Sequence, residues 1–139
     1  MEKEKIAQAI EILGESDIDL WMVIDRESGI ISDPVMDFVV GCHATWLSFF
    51  LFSRNGEKHA IVGNLDVETF RRAGLFDSVA AYKGSPKDDL LRLLRRLDPK
   101  KIAIDYSRDC AAADGLTHGN YLNLLELLKG TDFAGRLLS

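Results

Sequence analysis

Apolar residues recur at spacings of three and four in KEKIAQAIEIL, residues 3 to 13. That spacing sets Ile6, Ala9, Ile10 and Leu13 on one stripe and predicts an amphipathic helix, with Gly14 placed to end it. The next run, DLWMVID from Asp19 to Asp25, is short and continuously apolar, the pattern of a strand buried on both faces. Its polar exit, RESGIISD, reads as a loop. Asp33-Pro34 joins a capping side chain to a proline suited to the first helical position, so DPVMDFVV is expected to form a short helix ending at Gly41. WLSFFLF and KHAIV then flank Arg54-Asn55-Gly56-Glu57 and predict a hairpin, with Asn-Gly supplying the positive φ angles of a tight two-residue turn.

Asp66 stands where it would cap a helix through VETFRRA, closed by Gly74, and Ser78 to Tyr82 reads as a short strand. SPKDDLLRLLRRLD, residues 85 to 98, opens on Ser-Pro with an acidic first turn, carries arginines late and stops at Asp98-Pro99, so it predicts a helix. Lys101 to Tyr106 gives another strand. Thr117 is placed to cap a last helix, HGNYLNLLELLK, closed by Gly130, and the tail TDFAGRLLS fits no element. Helices alternating with strands around one hairpin indicate an α/β fold, with a mixed sheet covered by helices on both faces. No internal repeat, low-complexity segment or linker divides the chain, so a single domain over 1–139 is expected.

Composition narrows the classes of partner. With 17 Lys+Arg against 22 Asp+Glu the formal charge is −5, and no basic stripe collects phosphates, so nucleic acid is not an expected partner. The longest apolar stretch, around Trp46 to Phe52, is too short and too interrupted to span a membrane, and MEKEKIAQ is charged where a secretory signal turns apolar. A cytoplasmic location is expected. Cys42 and Cys110 form no CxxC pair and are expected as buried free thiols, while His43, His59 and His118 make no HxxxH or HExxH pattern.

The stretch IAIDYSRDCAAADGLTHG, residues 102 to 119, concentrates reactive types at the end of a buried strand: Asp105, Ser107, Asp109, Cys110, Asp114 and His118. A working site also needs partners from a second element. There is no GxSxG elbow, GxGxxG turn or Walker loop, so hydrolase triads and nucleotide cradles lack their usual signals. Read structurally, Asp114-Gly115 makes a turn and Thr117 a cap, leaving His118 in an exposed first turn. Asp25-Arg26-Glu27 at the end of a strand fits a ligand-facing loop or a solvated one. Trp21, Trp46, Phe49, Phe50 and Phe52 read as core or interface aromatics, and Trp46 near His43 is the one grouping with the character of a binding surface.

Taken in order, the phrases DPVMDFVVG, WLSFFLFSRNGEKHAIVGNLD, YKGS, LDPKKIAIDYS and ADGLTHGNYLNLLELL resemble the N-terminal domain of the Xaa-Pro peptidase family, which contains prolidase, aminopeptidase P and creatinase. The resemblance runs from the first helix to Ser139. It implies a three-layer α/β domain whose mixed sheet contains a ribonuclease-H-like motif. It also implies that catalysis belongs to a second, pita-bread-shaped domain, where two Asp, one His and two Glu hold two divalent metal ions that activate water and polarise the scissile carbonyl. None of those ligand positions has a counterpart here, so no catalytic and no metal-binding residue is assigned to this chain.

The resemblance therefore implies a non-catalytic N-terminal domain, inactive alone, of a parent Xaa-Pro metallopeptidase. Such a domain helps form a homodimer and walls one side of a cleft, while the peptide substrate is handled through the missing domain. Ser139, a capping residue with no helix after it, fits a chain cut at a domain boundary. The hairpin and the loops after the first strands are the parts expected at that surface, and Arg26, Glu27, His43 and Trp46 are candidate cleft or interface residues, chosen by loop position and chemistry. Two other functions stay open. One is a stand-alone ligand-binding or regulatory module using the Asp25–Asp33 loop and the residues after Asp105; the other is a small autonomous hydrolase using Asp105, Asp109 and His118.

Overall fold

The computed structural model describes residues 1–139. In chain order it contains α1 (Glu2–Glu15), β1 (Leu20–Asp25), β2 (Ser48–Ser53), β3 (Lys58–Gly63), α2 (Val67–Ala73), β4 (Ser78–Tyr82), α3 (Lys87–Leu97), β5 (Ile102–Ile104), α4 (His118–Leu127) and β6 (Leu137–Leu138). The strands form one six-stranded sheet in the order β4-β3-β2-β1-β5-β6. β2 runs against both its neighbours, whereas the β1–β5, β3–β4 and β5–β6 pairs are parallel. Without the edge strand β4, the order 3-2-1-5-6 with only the second strand reversed is the ribonuclease-H-like motif within a mixed sheet.

Burial on both faces explains why β1 and β2 are continuously apolar. Successive side chains of a strand point to opposite faces. Leu20, Met22 and Ile24 of β1 thus join Phe49 and Leu51 of β2 beneath α3 and α4, which add Leu90, Leu94 and Leu124. Val23, Phe50 and Phe52 face the other way, toward Ile6 and Leu13 of α1, Phe70 of α2, and Met36 and Val40. The layers are helix, sheet, helix, as α/β composition requires.

Several expected elements take a different local form. α1 runs past Gly14 to Glu15, because its stripe continues to the buried Leu13 and glycine in the right-handed region only weakens a helix without ending it. The Asp33-Pro34 segment does start helically, with Asp33 Oδ1 accepting the Val35 N–H at 3.0 Å, but continues as a π-helical turn over Met36–Val40. The Gly41 N–H closes that turn onto the Met36 carbonyl, and Gly41 adopts φ 73°, the left-handed ending expected of it.

The β2–β3 hairpin lies where Asn-Gly places it, yet it is not a two-residue turn. The Gly56 N–H bonds the Ser53 carbonyl, the Ser53 N–H bonds the Glu57 carbonyl, and only Gly56 has positive φ, at 98°. This is a three-residue loop with glycine at its left-handed position. Asp66 precedes α2 without capping it: its Oδ2 accepts the N–H groups of Thr45 and Trp46 at 2.9 and 3.2 Å instead. The tail is structured. Phe133 enters the core at 6% exposure, and Leu137–Leu138 pair with Ile102 and Ala103 as β6.

Candidate functional site

β1 and β5 are parallel neighbours, in register from Leu20↔Ile102 to Met22↔Ile104. Their carboxyl ends therefore emerge side by side, the position where open α/β sheets meet ligands. Asp25 closes β1 and Asp105 follows β5. The loop after Asp25 returns on itself, because Asp25 Oδ1 accepts the Arg26 N–H and Oδ2 accepts the Asp33 N–H, each at 2.8 Å. Burial raises the Asp25 pKa, and the two backbone donors partly offset that rise.

This return carries Asp33, 1% exposed, to Asp105. Asp105 Oδ1 accepts the indole N–H of Trp21 at 2.7 Å. Neither Asp105 Oδ2 nor Asp33 Oδ2 has a donor partner, although both atoms are buried. Burial first, then the charge of Asp33 and a hydrogen bond to it, push the Asp105 pKa up to about 8. Asp105 is thus held protonated at neutral pH, which gives it a hydroxyl able to donate to the Asp33 carboxyl beside it. Gly115 closes over this pair: a Cβ there would fall on the Asp33 carboxyl group, so only glycine fits.

Two hollows lie at this end of the sheet. A cavity of about 520 Å³ is lined by Tyr106, Asp114, Leu116, His118 and Tyr121. A second, of about 330 Å³, is bordered by Asp25, Arg26, Glu27, Ile30 and Ile31 on one side and by the start of α4 on the other. The Arg26 guanidinium lies over Gly119, 3.3 Å from where a Cβ would stand. Thr117 caps α4 as expected, accepting the Asn120 N–H at 3.2 Å. Ile30 and Ile31 project into solvent at 80% and 75% exposure.

The four candidate residues all lie at this end of the sheet but in separate groupings. Arg26 and Glu27 border the smaller hollow. His43 contacts Ser28 Oγ through Nδ1 at 3.1 Å and stands 3.3 Å from Asp37 Oδ1 through Nε2. Trp46 packs instead on Gly63 and on the Tyr82 ring, with ring centroids 5.8 Å apart. Of the residues offered for an autonomous hydrolase, Asp105 is turned inward to Trp21 and Asp33, His118 lines the larger cavity, and Asp109 is exposed. Ser107 Oγ accepts the backbone N–H groups of Asp109 and Cys110, folding the loop rather than facing a base. Cys110 is exposed and Cys42 half-buried, where buried thiols were expected: the loop after β5 bulges outward and carries Cys110 with it.

The Asp33–Asp105 pair escapes a reading of the sequence. Asp33 is fully explained there as a cap, and only the adjacency of β1 and β5 reveals its second role. No three His, Cys, Asp or Glu side chains are grouped so as to hold a metal ion, and no helix is long and apolar enough to cross a membrane.

This architecture is similar to that of solved creatinase/prolidase N-terminal domains. Its likeness to solved structures spans nearly the whole chain. A creatinase/prolidase N-terminal domain of an X-Pro dipeptidase from Streptococcus pyogenes superposes with a TM-score of 0.64 at 17% identity, covering 93% of this chain and 91% of that one. The Xaa-Pro dipeptidase from Bacillus anthracis gives 0.66 at 17% identity over 94% of this chain, which spans only 32% of that enzyme. Aminopeptidase P from Streptococcus thermophilus gives 0.63 at 10% identity, covering 94% of this chain and 88% of the other. At such identities the likeness establishes the fold. No protein-family model and no curated protein matches the sequence.

Proposed function

We propose that this chain is the non-catalytic N-terminal domain of an Xaa-Pro dipeptidase- or aminopeptidase-type metallohydrolase of the cytoplasm, taking part in a homodimer and walling one side of the substrate cleft. The observation that carries the reading is the match in extent: the chain corresponds to 91% of an isolated N-terminal domain and to 32% of a whole Xaa-Pro dipeptidase. The two divalent metal ions and the water they activate belong, in this reading, to a second domain. The end of the sheet with the Asp25–Asp33 loop, Arg26 and Glu27 is the surface offered to the cleft. The reading frame beyond Ser139 tests this. It is expected to encode two Asp, one His and two Glu ligands on strand-like segments, and a stop codon directly after Ser139 would refute it. The purified chain is expected to leave an Xaa-Pro dipeptide intact in the presence of a divalent metal ion; metal-dependent cleavage would overturn the non-catalytic part.

A second reading, a stand-alone ligand-binding module, is favoured by one observation. The two segments it requires, the Asp25–Asp33 loop and the residues after Asp105, meet at the hollow of about 330 Å³, and the residues after Asp105 line the one of about 520 Å³ by themselves. A stop codon after Ser139 is the outcome that selects it.

A further inference from the structure

β4 closes one side of the sheet, and its outer edge has no strand beside it. Such an edge offers unpaired backbone N–H and C=O groups to another strand, and proteins that leave an edge unused blunt it with prolines, bulges or charges inside the strand. β4 has none of these. Its residues, Ser78-Val79-Ala80-Ala81-Tyr82, are uncharged, and they pair with His59 to Gly63 of β3 in an unbroken register. Charges stand only at the two borders, as Asp77 before the strand and Lys83 after it, both exposed. Asp77 Oδ2 accepts the Lys58 N–H at 2.9 Å, its other oxygen has no partner, and Lys83 forms no ion pair within the chain.

From this self-complementary edge we infer that β4 pairs antiparallel with β4 of a second copy of the chain, about a two-fold axis through Ala80. In that register Asp77 faces the Lys83 of the other copy, Ser78 faces Tyr82, Val79 faces Ala81, and Ala80 faces itself. Opposite charges meet at both ends, and the small residues in the middle let the two backbones approach. A parallel arrangement would set Asp77 against Asp77, and a slip of two residues would leave every border charge unpaired. The occupant is a second copy rather than a foreign strand because the complementarity is that of the segment with itself. The result is an isologous dimer whose sheet runs on from one copy into the next.

The inference gives a surface to the homodimer of the proposed function and rests on that reading only for the dimer. Its readout is mass and not activity. Sedimentation or light scattering of the purified chain over a concentration series is expected to show a monomer–dimer equilibrium. Lys83→Glu places like charges at both ends and should weaken it about tenfold, and Asp77→Lys combined with Lys83→Glu should restore it, since the swap rebuilds both pairs. Circular dichroism of each variant checks that the fold is kept; for any misfolded variant, cross-linking of Ala80→Cys with itself, in a Cys42→Ala, Cys110→Ala background, reads the same axis. A dimer indifferent to Lys83→Glu, or one that does not cross-link through position 80, overturns the edge pairing while leaving the homodimer standing. A monomer at every concentration likewise overturns the edge pairing and leaves the homodimer of the parent enzyme standing.

Discussion

Replacing Asp105 by Asn tests the buried carboxyl pair. A group whose folded pKa is raised contributes stability that is fully present below its unfolded pKa and lost as pH rises through the folded one. For Asp105 the window runs from 3.8 to about 8. Within it the folded chain holds a proton that the unfolded chain has released, so stability falls by about 1.4 kcal/mol per pH unit, to a ceiling of about 6 kcal/mol. The amide introduced by Asp105→Asn would still accept the Trp21 N–H and would donate its own N–H to Asp33, keeping both bonds without titrating. Urea unfolding of both proteins from pH 4 to pH 9, followed by tryptophan fluorescence, measures the difference. The unsubstituted protein should lose stability across that range, and the variant should overtake it by at least about 2 kcal/mol at the alkaline end. The raised pKa of Asp25 acts in the same direction in both proteins, so it cancels in the comparison. Parallel curves, or a variant equally destabilised at every pH, would refute the raised pKa of Asp105.

Two further outcomes follow from the packing. Asp66→Ala frees the N–H groups of Thr45 and Trp46 and should cost about 1–3 kcal/mol in urea unfolding, with the helical circular-dichroism signal unchanged because Asp66 caps nothing. Phe133→Ala, in a tail without sequence pattern, should cost about 3–5 kcal/mol in thermal or urea unfolding because the ring is buried in the α3–α4 face of the core.

Most of the elements were legible along the chain because their causes are local. Apolar spacing located α1, the Ser-Pro start, acidic first turn and Asp98-Pro99 stop located α3, continuous burial on two faces located β1 and β2, and Thr117 marked the start of α4. Asn55-Gly56 located the hairpin, though its loop type depended on which backbone groups met across Ser53 and Glu57. The resemblance to Xaa-Pro peptidase N-terminal domains anticipated the mixed sheet and its ribonuclease-H-like order. β6 escaped because two residues carry no period, and what holds them is Ile102 and Ala103 of a distant strand. Asp66 misled for a similar reason: a carboxylate before a helix is a cap only if no other orphan N–H groups lie nearer, and those of Thr45 and Trp46 do.

The candidate site divides the same way. That Asp25, Asp33 and Asp105 are carboxylates at the ends of elements is written in the residues, as are the Asp33 cap and the Thr117 cap. That burial and the neighbouring Asp33 raise the Asp105 pKa, and that Gly115 must lack a side chain to admit Asp33, was decided only when β1 and β5 became neighbours. Backbone preference and side-chain period act over a few residues, whereas the desolvation and charge that set a buried acid's protonation come from whatever the fold packs around it.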